Sequence, residues 1–275
     1  MSVIPIIIGG GQDLTFSCAN AYDTFKRIFN LVTIDSNLDI ENSEIDFNSD
    51  SYISKIVASK SKRLFNLTNI GYQTYLTSPK HIKLFESLQF DANRLGMFRS
   101  NIDEAEPIIR DCDILSFDIN AVKHADAPGH YNPSPNGFIA DEVCQLAHYA
   151  GLSERLSCFG LFEVNPQFDN NNQTVNLAAQ ILWHFIDGYY KRIGDFPQTG
   201  IDALTKYIVR FESPETTISF YKSEISERWW FKIPYPKSHY RKSIFVSCSY
   251  KDYEQASHHE IPDRWLHFFR KISGV

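Results

Sequence analysis

Asp113-Ile114-Leu115-Ser116-Phe117-Asp118 is a short, mostly apolar run between two acidic residues, and its pattern decides the fold class. The run does not alternate between polar and apolar residues, so a strand formed here is apolar on both faces. Val3-Ile4-Pro5-Ile6-Ile7-Ile8 has the same character. Strands that are buried on both faces are typical of parallel sheets covered by helices on each side. The two runs therefore predict a doubly covered sheet.

Runs of this kind recur along the first part of the chain, and stretches with helical spacing separate them. The predicted strands are Val3–Ile8, Leu31–Asp35, Phe65–Tyr72, Asn93–Phe98, Asp113–Asp118 and Ser157–Glu163. The predicted helices are Asp13–Phe29, Asp50–Ser59, Pro79–Leu88, Asp103–Arg110, Asp141–Ala150 and Val175–Tyr190. This alternation predicts an α/β fold of three layers, doubly wound around a mainly parallel sheet.

The pattern changes after Asp195, so we divide the sequence into a main α/β domain, 1–195, and a C-terminal α+β appendage, 196–275. A segment of about 80 residues forms only a thin core alone, and we expect it to pack on the main domain as a cap. The appendage begins with a predicted helix, Ile201–Phe211. The elements predicted after it are an antiparallel pair Thr216–Lys222 and Arg228–Ile233, a short run Ile244–Ser247, and helices Tyr250–Ser257 and Pro262–Ile272.

Composition excludes several classes of protein. The 275 residues are 43% hydrophobic and 14% aromatic, which excludes a disordered or collagen-like chain. A net charge of −6 argues against partners such as nucleic acid or an anionic membrane. The run Val3–Ile8 is too short to span a bilayer and lacks the basic flank of a signal peptide. Five scattered cysteines without a Cys-x-x-Cys pair favour reduced thiols and a cytoplasmic location.

Polar clusters follow four of the six predicted strands, where ligands gather in a fold of this class. They are Gly9–Asp13, Asp35–Asp39, Ser116–Asn120 and Phe162–Pro166. The glycine segment lacks the third glycine of a dinucleotide fingerprint and the lysine of a phosphate-binding loop, which argues against nucleotide binding. The acidic clusters suit a hard divalent cation, although Asp and Asn also serve as turn formers and helix caps.

Taken together and in order, these clusters resemble the ureohydrolase family, which contains arginases, agmatinases and formimidoylglutamases. Gly9–Asp13 is similar to the family's Gly-Gly-(Gly/Asp)-His segment, and Asp35–Asp39 to its Asp-x-His-x-Asp. Ser116–Asn120 resembles Ser-Phe-Asp-x-Asp, Ala127–Gly129 the Ala-Pro-Gly that follows it, and Glu163–Pro166 matches Glu-Val-Asn-Pro. The resemblance covers residues 3 to 193 and is nearest to formimidoylglutamases. It implies an arginase-like fold and hydrolysis of C–N bonds in linear amidines.

The resemblance also implies a centre of two Mn²⁺ ions bridged by a hydroxide that attacks a guanidine or amidine carbon. Three of its six ligand positions are aspartates here, and three are neutral amides. The family's ligand positions correspond to Gln12, Asp35, Asn37, Asp39, Asp118 and Asn120. The metal position formed by residues 12, 35, 39 and 118 keeps three carboxylates. The other position shares Asp35 and Asp118 with the first, and both of its remaining ligands, at 37 and 120, are asparagine here. We therefore expect normal dimanganese turnover to be absent, and one site for Mn²⁺, Mg²⁺ or Ca²⁺ at Asp35, Asp39 and Asp118.

Three ionised carboxylates about 4 Å apart repel by about 4 kcal/mol per pair at an effective dielectric of 20. A metal ion, a side chain such as Lys123, or a proton must relieve this repulsion. His124 and His130 lie in the loop that follows Asn120 and are candidates to replace a lost metal ligand, or are loop histidines that face solvent.

The resemblance gives Glu163 the role of holding the substrate's guanidinium or amidinium. The alternative is that Glu-Val-Asn-Pro persists for folding, because its Asn-Pro step ends the strand. Family members carry two more strands before the glycine segment, so we expect a fragment or a shortened domain. In both cases Val3–Ile8 is an uncovered sheet edge, where homo-oligomer contacts or aggregation are expected.

Three functional hypotheses follow. The first is a catalytically impaired binding or scaffolding relative of formimidoylglutamase. The second is an active hydrolase of linear amidines that uses one metal ion, with Glu163 holding the substrate. The third is a structural subunit that assembles with an active paralogue.

Overall fold

The computed structural model describes residues 3–41, 47–59, 63–197, 201–212, 215–235 and 243–274. Within these residues the chain divides into two compact units, Met1–Arg192 and Ile193–Val275. The packing of the C-terminal part on the main domain stays a prediction. No helix in the described part of the chain has the length and apolar character needed to cross a bilayer.

The first unit contains a parallel sheet of six strands, as the sequence predicts. The strands are β1 Ile6–Ile8, β2 Phe29–Ile34, β3 Leu64–Tyr72, β4 Asp91–Arg94, β5 Ile114–Asp118 and β6 Cys158–Phe162. Their order across the sheet is β1-β6-β5-β2-β3-β4, with every neighbouring pair parallel. From β2 the chain continues to β3 on one side, and from β5 to β6 on the other. The topological switch point therefore lies between β2 and β5.

Helices cover both faces of this sheet. They are α1 Leu14–Thr24, α2 Tyr52–Val57, α3 Pro79–Ser87, α4 Leu95–Ser100, α5 Glu106–Arg110, α6 Ala140–Leu152 and α7 Gln173–Tyr190. Two successive residues of β2 point to opposite faces of the sheet. Leu31 belongs to a buried cluster with residues of α1 to α3, and Val32 belongs to a second cluster with residues of α4 to α7. Three layers result, and the predicted fold class is confirmed.

The fourth strand differs from its predicted position, Asn93–Phe98. Pairing with β3 begins at Thr68 opposite Asp91, and the strand ends at Arg94. Leu95 and Phe98 lie three residues apart on α4, where both are buried in the core. Residues three apart share one face of a helix, whereas in a strand they point to opposite faces. Only the helix therefore places both side chains in the same buried cluster. The predicted helix Asp103–Arg110 also divides, into a 3₁₀ turn Ile102–Ala105 and α5.

The second unit contains an antiparallel sheet in the order β10-β9-β8-β7. Its elements are β7 Leu204–Glu212, β8 Glu215–Ser223, β9 Trp229–Pro234, β10 Ser243–Cys248, α8 Tyr250–Ser257 and α9 Asp263–Ser273. The prediction of a helix over Ile201–Phe211 is wrong. Leu204, Tyr207, Ile208 and Phe211 have helical spacing, but β8 pairs with this segment from Leu204 opposite Ser223 to Glu212 opposite Glu215. The hydrogen bonds of this ladder override the local pattern.

Candidate functional site

The acidic cluster lies at the switch point of the parallel sheet. Ile34 of β2 pairs with Phe117 of β5, so Asp35 and Asp118 follow as the next neighbours across the two strand ends. Gln12 lies just before α1, in the segment after β1, and Glu163 directly follows β6. The parallel strands thus bring four predicted site positions to one edge of the sheet, although they are far apart in sequence.

Two similar turns shape the cluster. The backbone N–H of Asn37 donates to Oδ1 of Asp35 at 2.8 Å, and that of Asn120 donates to Oδ1 of Asp118 at 2.7 Å. Oδ1 of Asn120 accepts from Oγ of Ser36 at 3.1 Å, which joins the loop after β5 to the loop after β2. Asn37 and Asn120 are therefore parts of the turns that hold the two aspartates.

Gln12 occupies the centre of the site and is completely buried. The surrounding groups determine its amide orientation, because the nitrogen must face the acceptors. In that orientation the nitrogen donates to Oδ2 of Asp35 at 2.8 Å and to Oδ2 of Asp39 at 3.0 Å. The amide oxygen accepts from the Tyr52 hydroxyl at 3.2 Å and from Oγ of Ser116 at 3.1 Å. All four hydrogen bonds of the amide are internal to the protein.

Tyr52, Ser116 and Thr15 complete this network. Tyr52 is fully buried on α2, and its pKa is raised by burial and by the nearby charges of Asp39 and Asp35. Oγ1 of Thr15 hydrogen-bonds Oγ of Ser116 at 2.6 Å. The roles of Tyr52 and Thr15 could not be predicted from the sequence. Each residue lies in an amphipathic helix, and no sequence motif of a functional site surrounds it. Ser116 belongs to a quoted motif, but no role was predicted for it.

The three carboxyl groups are buried, and burial shifts each of them toward its protonated form. Burial raises the pKa of Asp35 to about 6. Burial, followed by the charge of Asp35, raises the pKa values of Asp39 and Asp118 well above the ordinary range. The side chains of Asp35 and Asp39 also hydrogen-bond each other, which lowers the pKa of Asp35 and raises that of Asp39. Within this pair Asp39 therefore holds a proton more tightly than Asp35 does.

Of the two predicted ways to relieve the repulsion without a metal ion, a lysine side chain or a proton, the structure favours a proton. Nζ of Lys123 lies 3.6 Å from Oδ1 of Asp126 and is partly exposed, so this lysine has an acidic partner outside the cluster. Burial and the charge of His124 lower the pKa of His130 to about 4, and none of the three aspartates contributes to that shift. His130 is buried, but the histidines do not complete the acidic cluster.

In this amide orientation the residues at the predicted metal position bond to one another, and the Gln12 nitrogen rather than its oxygen faces Asp35 and Asp39. Among the described residues, no group of three His, Cys, Asp or Glu side chains has the arrangement of a metal site. The Gln12 nitrogen forms hydrogen bonds to Asp35 and Asp39, which would otherwise be ligands. An amide nitrogen that donates protons cannot coordinate a cation at the same time.

Glu163 has a structural contact and an available carboxylate oxygen. Its backbone has a positive φ of 62°, and its N–H donates to the Gly10 carbonyl at 3.0 Å. Oε1 accepts from the backbone N–H of Gln12 at 2.9 Å. A Cβ at Gly11 would lie 3.3 Å from that Oε1, so glycine permits the close approach. Oε2 makes no hydrogen bond to the part of the chain that the structure describes.

Comparisons with known proteins agree with the family resemblance and with this fold. A model of the Arginase family matches residues 2–187. Formimidoylglutamase of Bacillus subtilis is 21% identical over 194 residues, which cover 67% of this chain and 61% of the relative. Formimidoylglutamase of Corynebacterium efficiens is 24% identical over 204 residues, with 68% and 62% covered. The chain therefore spans about three fifths of the length of these relatives.

Solved structures show the same architecture. The crystal structure of Trypanosoma cruzi formiminoglutamase with Mn²⁺ superposes with a TM-score of 0.64 and 22% identity, covering 70% of this chain and 67% of that one. Proclavaminate amidino hydrolase from Streptomyces clavuligerus superposes with a TM-score of 0.58 and 21% identity, covering 67% and 64%. At this level of identity the likeness establishes the fold.

Proposed function

The chain belongs to the arginase family, and from this premise we propose that it is a catalytically impaired member that binds a small planar cation without hydrolysing it. In this proposal, a network of protons and one glutamine amide takes the place of the family's metal centre. Glu163 supplies the charge that holds an amidinium or guanidinium group. The protein then acts as a binding or scaffolding relative of formimidoylglutamase.

The observation that carries the proposal is the position of the Gln12 amide. Its nitrogen lies at hydrogen-bonding distance from Oδ2 of both Asp35 and Asp39. A metal ion would lower the pKa of a bound water and stabilise the negative charge that develops during attack. A neutral amide does neither, because it carries no net charge. In the proposed state the site therefore has no metal-bound water to supply hydroxide at neutral pH.

The support for a cationic ligand comes from Glu163. One of its carboxylate oxygens is fixed by the Gln12 backbone, which orients the carboxylate. Its charge contributes to the raised pKa of Asp118, so the carboxylate lies near the acidic cluster. Amidinium and guanidinium groups are planar donors that pair with a carboxylate through charge-assisted hydrogen bonds.

A second candidate is a hydrolase of linear amidines that uses one divalent ion at Asp35, Asp39 and Asp118. The clustering of three buried carboxyl groups favours it, because such a cluster suits a hard cation once the groups are ionised. This function requires the Gln12 amide to turn away and the cluster to lose its protons. Metal binding then releases protons, so metal affinity rises with pH.

One experiment separates the two candidates. Metal-stripped protein is melted with Mn²⁺, Mg²⁺ or Ca²⁺, and separately with acetamidine, while formamide or urea release is assayed with amidine and guanidino compounds. The proposal expects an acetamidine shift that Glu163→Gln abolishes, no metal shift and no product. A metal shift that Asp118→Asn abolishes and the exposed-site control Asp141→Asn retains, together with product release, would establish the hydrolase instead.

A further inference from the structure

A second cleft lies at the same edge of the sheet, beyond the ends of β3 and β4. Its volume is about 520 Å³, within the range of small-molecule sites. Its lining consists of Tyr72, Gln73, Thr74, Tyr75, Ala92, Asn93, Arg94, Leu95, Gly96, Met97, Arg99 and Asn136. None of the four polar clusters that follow the predicted strands lies at these two strand ends.

The charge of the cleft is opposite to that of the whole chain. Its lining contains two arginines and no carboxylate, in a protein with a net charge of −6. Neither Arg94 nor Arg99 forms an ion pair with an acidic side chain in the described part of the chain. Two guanidinium groups without acidic partners in one concave surface attract an anion.

Existing hydrogen bonds hold these arginines in place. Nε of Arg94 donates to the Tyr72 hydroxyl at 3.2 Å, which leaves both terminal nitrogens for a ligand. Nη2 of Arg99 donates to the Gly137 carbonyl at 2.5 Å. A guanidinium held at one end and open at the other is suited to bidentate contact with an oxyanion.

The other residues that line the cleft are uncharged. Hydrogen bonds within the protein hold the polar side chains Gln73 and Tyr75 in place. Gln73 is buried, its Nε2 donates to the Asn136 carbonyl at 3.0 Å, and its Oε1 accepts from the Tyr75 hydroxyl. Ala92, Leu95 and Met97 add apolar surface. An anion with a short apolar body fits this combination better than a strongly hydrated inorganic ion does.

The cleft is distinct from the Glu163 position. Glu163 follows β6, whereas Arg94 ends β4, and four interstrand steps separate these strands. At a spacing of about 4.8 Å per step, the two strand ends lie roughly 19 Å apart.

We propose that the cleft between the ends of β3 and β4 binds the carboxylate of a small organic acid, with Arg94 and Arg99 as its cationic contacts. The ligand's carboxylate pairs with the two guanidinium groups, and its carbon chain lies against Leu95 and Met97. This site is independent of the function proposed above, since neither Glu163 nor the acidic cluster takes part in it.

Titration calorimetry at constant ionic strength tests the proposal with glutarate, butyrate, benzoate, inorganic phosphate and the uncharged analogue glutaramide. We expect at least one of the three carboxylates to bind at one site per chain and glutaramide not to bind. Arg94→Gln should weaken carboxylate binding about tenfold or more, because a charge-assisted pair is lost. The control Lys83→Gln removes one exposed positive charge from α3, outside the cleft lining, and should leave binding unchanged.

Arg99→Gln should weaken binding in the same way, and unfolding curves show whether loss of its Gly137 contact disturbs the fold. If it does, Arg94→Gln and Arg94→Lys still test the proposal, because the side chain of Arg94 hydrogen-bonds only the Tyr72 hydroxyl among the described residues. The proposal fails if no carboxylate binds at millimolar concentration, if Arg94→Gln binds as well as the parent protein, or if glutaramide binds equally well. Phosphate binding tighter than every carboxylate would also overturn it.

Discussion

The side-chain nitrogen of Gln12 lies 2.8 Å from Oδ2 of Asp35, and this contact joins the segment after β1 to the loop after β2. The same nitrogen also reaches Asp39, so one neutral amide bridges two buried carboxyl groups. The family's motif has histidine at this position. The exchange of an imidazole for an amide changes the chemistry of the site, because the amide adds hydrogens where the metal centre needs lone pairs.

Restoring the family's ligands should restore metal binding. The triple variant Gln12→His, Asn37→His and Asn120→Asp supplies two imidazoles and a carboxylate at the altered positions. We expect it to retain bound Mn²⁺ after dialysis, measured by elemental analysis, while the parent protein and Asn120→Asp alone retain none. No gain of metal in a folded triple variant would contradict the correspondence of these positions with the family's ligands.

Removal of the amide should destabilise the first unit. Gln12→Leu leaves Asp35, Asp39 and Tyr52 without their buried partner, at a cost of roughly 2 to 3 kcal/mol. Urea unfolding at neutral pH measures this loss. The matched control Gln167→Leu makes the same exchange at an exposed position and should change the free energy of unfolding by about 0.5 kcal/mol or less. Equal effects of the two variants would show that the bridge contributes nothing.

The acidic cluster should make stability fall as pH rises. Folding raises the pKa of Asp35 from 3.8 to about 6, so the folded state binds protons more tightly than the unfolded state. This contribution is fully present below pH 3.8 and is lost as pH rises through about 6. His130 acts in the opposite direction, because its pKa is lowered to about 4 and its contribution is lost as pH falls.

Comparison with Asp39→Asn isolates the carboxyl effect, since this variant retains His130. Its amide mimics protonated Asp39 and donates to Asp35 without titrating. We expect the parent protein to lose more stability than Asp39→Asn between pH 4.5 and pH 7.5, measured by urea unfolding. Identical pH profiles would exclude a protonated cluster.

Glu163→Gln should remove binding of a planar cation. The substituted amide retains an oxygen for the Gln12 backbone N–H, so the loop keeps its contact while the charge is lost. We expect calorimetric binding of acetamidine to weaken about tenfold or more. Glu86→Gln, an exposed change on α3, is the control. Unchanged acetamidine affinity in Glu163→Gln would assign the residue to folding alone.

The crossing of α6 and α7 should tolerate no added methyl group. A Cβ at Gly188 would lie 2.3 Å from the His148 carbonyl oxygen, so Gly188→Ala forces two backbones apart. We expect a loss of about 2 kcal/mol or more in the free energy of unfolding. Gly96→Ala on α4 meets no atom within 4 Å and should be neutral or slightly stabilising. A neutral Gly188→Ala would contradict the close helix contact.

Local patterns predict the central strands β2, β5 and β6 well, because these strands are buried on both faces and consist mostly of apolar residues. They fail at β4 and β7 for a related reason. Asp91–Arg94 is a polar edge strand, and the nearby apolar residues belong to α4. In β7, apolar residues with helical spacing are held in a ladder by β8. Pairing partners, rather than the segment itself, determine these two elements.

The sequence by itself determined the α/β architecture, the strand-end positions of the motifs, and the presence of amides where the resemblance implies metal ligands. Only the tertiary structure decided what those amides do. Gln12 meets Ser116 and Tyr52 across distant parts of the chain, and its orientation depends on which atoms surround it. Local sequence encodes which faces are apolar. The partners of a buried polar atom depend on packing, because most such atoms are hydrogen-bonded to groups that the fold brings near them.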